Sequence, residues 1–125
     1  MQHASGSFTV AMAALPAAGG FSLDKHYSGD LQAGSQGQML SAGNPAAGEA
    51  GYVAMEHVQG TLAGRSGGFA LMHSGTMTAG GQQLVISIVP GSGSGDLAGI
   101  SGHMSIRIDG KAHYYTLDYA LPAKP

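Results

Sequence analysis

Apolar and polar residues alternate with a period of two along most of this 125-residue chain. Successive side chains of a β-strand point to opposite faces, so this alternation predicts strands with one buried face and one solvated face. No stretch of useful length repeats its apolar residues every 3.6 positions, as an amphipathic helix would. The pattern therefore predicts an all-β fold.

Short glycine-rich segments interrupt the alternation and predict turns, bulges and barrel corners. The predicted strands lie near residues 5–14, 21–32, 35–42, 50–62, 67–78, 83–90, 97–108 and 112–121. Their connections read "PAAGG", "QAGSQ", "AGNPAAGEA", "LAGRSGG", "TAGGQQ", "PGSGSGD" and "DGKA". Short connections favour antiparallel neighbours, and closing such a sheet removes its exposed edges. We expect an eight-stranded antiparallel up-and-down barrel, with a flattened sandwich as the alternative.

The length predicts one domain over residues 1–125, with 122–125 as a loose tail. Charged residues make up only 10% of the chain, against about 25% in a typical soluble domain. A surface with so few charges is suited to burial between subunits. We therefore expect a homo-oligomer, with the outward side chains Val53, Met55 and Met72 as candidate subunit contacts.

Charge and composition argue against several classes of function. The net charge is −2 and the five Lys and Arg residues are scattered, so no nucleic-acid partner is expected. No apolar run approaches the roughly 20 residues of a membrane span. The cysteine-free chain fits a cytoplasmic protein. The six histidines lack local ligand spacing and "GSGSGDLAG" lacks the lysine of a phosphate loop, so neither a metal nor a cofactor is expected.

The segment "YVAMEHVQGTLAGRSGGFALMHSG", residues 52–75, predicts a β-hairpin with two polar residues on its inner face. A two-residue turn at Gly64-Arg65 pairs residues whose numbers add to 129. One face then carries the pairs Tyr52–Met77, Ala54–Gly75, Glu56–His73, Val58–Leu71 and Gly60–Phe69. This face is apolar apart from one pair and the opposite face is mostly polar, so sheet geometry places it inward.

Glu56 and His73 are therefore predicted to be cross-strand neighbours inside the barrel. Such a coupled acid–imidazole pair can hold or move a proton near neutral pH, and we take both as candidate catalytic residues. Ala54 and Gly75 beside them leave room for a ligand. Two alternatives stay open, a purely structural core contact and a role in orienting a ligand.

Further residues are predicted to line the same interior. Lys25 and Tyr27 alternate with apolar residues in "FSLDKHYSGDL", and Lys25 either enters the cavity or extends out of a barrel end. Tyr115 and Tyr119 share one face of "AHYYTLDYAL" and either contact a ligand or pack in the core. The full set of predicted ligand-binding residues is Lys25, Tyr27, Tyr52, Ala54, Phe69, Leu71, Gly75, Met77, Tyr115 and Tyr119.

The segments "SLDKHYSGDLQAGSQGQMLSAG", "GYVAMEHVQGTLAGRSGGFALMHSGTM" and "GSGSGDLAGISGHMSIRIDGKAHYYTLDYAL" resemble the DUF3224 family, bacterial proteins of uncharacterised function. The resemblance covers roughly residues 4–121 and is most specific at "GRSGGF", "LMHSGTM" and "GDLAGISGHM". It implies an allene-oxide-cyclase-like barrel that encloses a cavity. It carries over no catalytic residue, and fold alone does not imply function.

Three functions follow from these expectations. The first is a cofactor-independent isomerase or cyclase acting on a small apolar molecule, with Glu56 exchanging a proton and His73 setting its protonation. The second is a non-catalytic binding or carrier barrel. The third is a structural, oligomeric barrel whose interior is filled. Empty space next to Ala54 and Gly75 would separate the first two from the third.

Overall fold

The computed structural model describes residues 1–16 and 19–122, which form a closed antiparallel β-barrel. Its strands are β1 (Gln2–Ala14), β2 (Gly20–Gly29), β3 (Leu31–Asn44), β4 (Glu49–Leu62), β5 (Arg65–Thr78), β6 (Gly81–Ile88), β7 (Ser94–Gly95), β8 (Ser101–Asp109) and β9 (Ala112–Ala120). Eight of them follow one another around the barrel, which β9 closes by pairing with β1. The short β7 pairs with the start of β5 as one extra strand. The predicted eight-stranded antiparallel barrel is confirmed.

One end of the barrel, the closed end, is filled with side chains. The loop between β6 and β8 passes there and buries Leu97 and Ile100 against the core. The Tyr115 hydroxyl accepts a hydrogen bond from the Leu31 backbone N–H at 2.9 Å and donates to the Ser28 carbonyl oxygen at 2.9 Å. These bonds tie β9 to the turn between β2 and β3, next to the packed side chains of this end.

The opposite end, the mouth, is where β1, β3 and β5 end and where β2, β4 and β6 begin. The ladder between β6 and β8 has only two residue pairs, Ile86 with Met104 and Ser87 with His103. Within the described sheet, the mouth-side halves of these two strands therefore have no partner across this seam. The barrel is most open here.

Several strand boundaries differ from the prediction, most clearly around the second, third and seventh predicted strands. The second predicted strand ran through 29–31, where the chain in fact turns, with Gly29 at φ 104°. The segment "QAGSQ", predicted as a turn, lies inside β3. Glycine in the left-handed region marks the true turn, since other residues are strained there. The predicted strand 97–108 begins only at Ser101, because the residues before it form a turn that packs into the closed end.

The β4–β5 hairpin turns one residue earlier than predicted, at Ala63-Gly64. Both residues have positive φ, 49° and 84°, as a type I′ turn requires. The Ala63 amide donates a hydrogen bond to the Asp30 carbonyl oxygen at 2.9 Å, so a neighbouring turn helps to select this register. Paired residue numbers add to 127 rather than 129, and Glu56 faces Leu71 while Ala54 faces His73. A shift of two positions keeps every side chain on its predicted face.

The predicted tail at 122–125 lies, from residue 123 onward, outside the described residues. Among the residues that the structure does describe, no helix has the length and apolar character needed to cross a membrane.

Candidate functional site

The inner face of β2–β5 carries a cluster of polar side chains centred on Glu56. Lys25, Tyr27, Ser35, Glu56 and His73 occupy inward positions, as the strand period of two requires. The Glu56 side chain is fully buried, and Lys25 and His73 are only 7% and 3% exposed. A buried carboxylate is costly unless it is paired and hydrogen-bonded.

Four donors surround the Glu56 carboxylate. Oε1 accepts hydrogen bonds from the Tyr27 hydroxyl at 2.5 Å and from Ser35 Oγ at 2.9 Å. Oε2 is 2.9 Å from Lys25 Nζ and 2.6 Å from His73 Nε2. The carboxylate therefore accepts two bonds on each oxygen, which is close to its full capacity.

These donors decide the ionisation of the cluster. Burial raises the pKa of the Glu56 carboxyl. The hydrogen bond with His73 and the charge and hydrogen bond of Lys25 lower it by more, so the net pKa falls from 4.5 to about 2. Burial, and then the charge of Glu56, raise the pKa of Tyr27 and of Tyr52, so both phenols stay neutral donors. Glu56 is thus an ionised acceptor held between neutral and cationic donors.

The mouth holds a cavity of about 440 Å³. Its larger apolar lining residues are Met12, Phe21, Met39, Tyr52, Met77 and Leu84, which come from β1 to β6. Gly75 lies in the wall directly opposite Tyr52, whose ring covers it. A Cβ at Gly75 would lie 2.4 Å from a ring carbon of Tyr52, so any residue other than glycine would displace this ring.

The cavity and the Glu56 cluster are stacked along the barrel rather than merged. Neither Glu56, Lys25 nor His73 lines the cavity. Tyr52 lines it, and its ring centroid lies 6.4 Å from that of His73. Tyr52 is therefore the side chain through which the two regions meet.

The predicted site residues separate into three groups. Tyr52, Gly75 and Met77 line the cavity. Glu56 and His73 contact each other diagonally rather than from directly opposite positions, and Lys25 and Tyr27 both bond to Glu56. The remaining predicted ligand contacts are buried in the barrel wall or core away from the cavity, namely Ala54, Phe69, Leu71, Tyr115 and Tyr119.

Lys25 points inward, as one of its two predicted orientations required, but its partner is Glu56. Its ammonium also lies 5.1 Å from the centre of the Phe8 ring, a cation–π contact. Ser35 was missed because it lies in "QAGSQ", which was predicted as the connection between the strands near 21–32 and 35–42. With β3 starting at Leu31, the same alternation would have placed Ser35 on the inner face.

Comparison with known proteins identifies the family. The family model DUF3224, described as a protein of unknown function, matches residues 3–119. A crystal structure of a protein of unknown function from the DUF3224 family of Shewanella oneidensis MR-1 is 40% identical, with a TM-score of 0.90 over 99% of each chain. No curated protein matches the chain. The match over nearly the whole sequence and the shared barrel agree, and the chain belongs to the DUF3224 family.

Proposed function

We propose that this protein binds a small, mainly apolar molecule in the mouth of its barrel. The observation that carries the proposal is the cavity of about 440 Å³ at one end of a barrel whose other end is filled. This volume lies within the range of about 300–1,000 Å³ that is usual for small-molecule sites.

The lining supports an apolar ligand with a limited polar part. Methionine side chains adapt to irregular apolar shapes, and three of them, Met12, Met39 and Met77, face the cavity. Tyr52 offers an aromatic face and one hydroxyl. The unpaired seam between β6 and β8 gives the mouth a side where a ligand can enter.

The contacts of Glu56 favour binding over the predicted acid–base catalysis. A base must have a free lone pair and a pKa near the working pH. Glu56 already accepts four hydrogen bonds and its pKa is about 2. We therefore assign Glu56 a positioning role. The isomerase or cyclase activity and the allene-oxide-cyclase-like classification stay predictions, supported by the barrel shape.

Methionine methyl groups provide the test, because some methionines line the cavity and others lie on the outer face of the barrel. Protein labelled with [methyl-13C]methionine is titrated with 2-methoxynaphthalene and followed by NMR. We expect the signals of Met12, Met39 and Met77 to shift, while Met55 and Met72 on the outer face serve as internal controls.

A paired substitution adds specificity to this titration. Ala50→Phe fills the cavity from the inner face of β4 and should abolish the shifts, whereas Val53→Phe adds an aromatic ring to the outer face of the same strand and should not. Shifts confined to Met55 and Met72, or no shifts at all, would overturn the proposal.

We also propose that the protein forms a homo-oligomer through the outer face of β3–β6. Five large apolar side chains there are 41–61% exposed, namely Leu40, Val53, Met55, Met72 and Val85. They occupy two adjacent rows across the four strands, and the groove between them is lined by no Lys, Arg, Asp or Glu. An uncharged apolar face is best matched by another of the same kind, which a second copy supplies.

A further inference from the structure

The cavity at the mouth has a lining without charge. None of the fourteen described residues around it is a lysine, arginine, histidine, aspartate or glutamate. Its polar residues are all neutral, namely Ser41, Tyr52, Thr76, Gln82 and Gln83. An ion that enters such a site loses water and gains no opposite charge in return, which is costly. The lining therefore favours a molecule without a charge.

The strand connections around the cavity carry no charge either. Residues 15–19, 45–48 and 79–80 join the strands that line it and include no Lys, Arg, His, Asp or Glu. Glu49, at the start of β4, is an exposed carboxylate next to the lining residue Ala50. The β8–β9 turn carries Lys111, but neither of these strands contributes to the described lining. An anion therefore meets a like charge, and no cation, beside this lining.

The charged groups deeper in the barrel are paired with one another. Lys25 Nζ lies 2.9 Å from Glu56 Oε2, and neither residue lines the cavity. Drawing Lys25 toward a ligand would leave the buried Glu56 with less compensation, which is costly. Burial, and then the charge of Glu56, raise the pKa of the Tyr52 phenol, which lines the cavity. The surroundings of Tyr52 thus disfavour a negative charge.

We propose that the molecule bound in the mouth cavity carries no charge, and that carboxylates and ammonium compounds are rejected. This inference rests on the proposed function and narrows its ligand class to neutral apolar compounds such as ketones, esters, ethers and alcohols. The selectivity comes from the cost of burying an ion without a counter-ion. The hydroxyls and side-chain amides of the lining residues are donors and acceptors that suit the polar group of a neutral ligand.

Elongated naphthalene probes with the same group at both ends test this, because neither orientation keeps both groups in solvent. 2,6-Diacetylnaphthalene and naphthalene-2,6-dicarboxylate have nearly the same shape and differ in charge. 2,6-Bis(hydroxymethyl)naphthalene and 2,6-bis(aminomethyl)naphthalene form a second pair, in which the charged member is a cation. The dissociation constants of all four are measured for the wild type at neutral pH by isothermal titration calorimetry.

We expect each neutral probe to bind at least about tenfold more tightly than its charged counterpart, because one ion has to be buried. A charged probe that binds as tightly as its neutral counterpart would overturn this proposal and leave the cavity proposal intact. Failure of both neutral probes to bind would also overturn it. If 2-methoxynaphthalene then leaves the methionine signals unchanged as well, the proposed function fails with it.

A lysine placed in the lining tests whether the missing counter-charge causes the selectivity. Met12 lines the cavity and is 51% exposed, so Met12→Lys adds a cation at the mouth with little cost to the fold. Ala13→Lys adds the same charge at the next position of β1, which is exposed and lies outside the described lining. We expect the dicarboxylate to bind about two- to fivefold more tightly to Met12→Lys than to Ala13→Lys. Equal affinities would contradict the proposal.

Discussion

Glu56 is the residue on which the interior polar chemistry depends. Its charge is balanced by Lys25, and it gives a partner to every donor that β2, β3 and β5 place around it. Removing one member of a buried ion pair leaves the other without compensation and costs about 3–5 kcal/mol. The charged members of the cluster therefore depend on one another for their stability in the buried interior.

The pKa of Glu56 gives a prediction at this scale. Because the folded-state pKa is depressed from 4.5 to about 2, this group stabilises the fold above pH 4.5 and loses that contribution as the pH falls toward 2. Between pH 6 and pH 3 the expected loss is about 2 kcal/mol. The groups that face Glu56 are Lys25, His73, Tyr27 and Ser35, and they favour the ionised carboxylate.

Carbon-13 NMR can test this directly, because Glu49 and Glu56 are the only glutamates in the sequence. With [δ-13C]glutamate, we expect the Glu56 carboxyl signal to stay at its ionised position down to about pH 3. The exposed Glu49 on the same strand provides the reference signal. A Glu56 signal that titrates at or above pH 4.5 would refute the assignment of an ionised, fully bonded carboxylate.

Among residues, the sequence pattern identifies Glu56 and His73 because two polar residues stand out on an otherwise apolar strand face. Lys25 and Tyr27 follow from the same rule on β2. The pattern does not predict which partner each of these side chains contacts. A long lysine side chain, for example, can reach inward or outward. Contacts between non-neighbouring strands depend on barrel curvature, which alternation alone does not specify.

At the scale of elements, the hairpin shows why a face is more predictable than a register. Pairing at a sum of 129 or 127 keeps the same residues inward, so the apolar pattern cannot distinguish them. The selection comes from outside the hairpin, through the bond between the Ala63 amide and the Asp30 carbonyl oxygen. The short β7, with two residues, carries too little pattern to predict.

The Ala63-Gly64 turn gives a prediction about stability. Ala63 is exposed and has φ 49°, a conformation that costs an alanine about 1 kcal/mol, whereas asparagine tolerates it and Asn-Gly is a preferred type I′ pair. Ala63→Asn should therefore stabilise the fold by roughly 0.5–1 kcal/mol. Urea unfolding followed by circular dichroism measures this as a higher midpoint with an unchanged slope. A lower midpoint would indicate a different turn.

At the scale of the whole molecule, the two ends of the barrel differ because of one loop. The β6–β8 connection carries Leu97 and Ile100 into the closed end, while the mouth holds the cavity. The sequence predicts a glycine-rich connection at "PGSGSGD" and places Leu97 and Ile100 in the following strand, so it does not show that these two residues fill one end of the barrel. The location of the cavity thus depends on tertiary packing that local patterns do not encode.

The outer face of β3–β6 gives the last prediction, on assembly. If Leu40, Val53, Met55, Met72 and Val85 form the contact between two copies, a charge in their centre must be buried without a partner. Val53→Glu should therefore shift the wild-type oligomer to a monomer, and its mass in solution, measured by light scattering after size-exclusion chromatography, should fall to 12.5 kDa. The fold should survive, because Val53 is 55% exposed. Gln59→Glu places the same charge farther along the outer face of β4, beyond the apolar rows, and should leave the mass unchanged. A wild type of 12.5 kDa at every concentration would show that this face does not pack against a second copy.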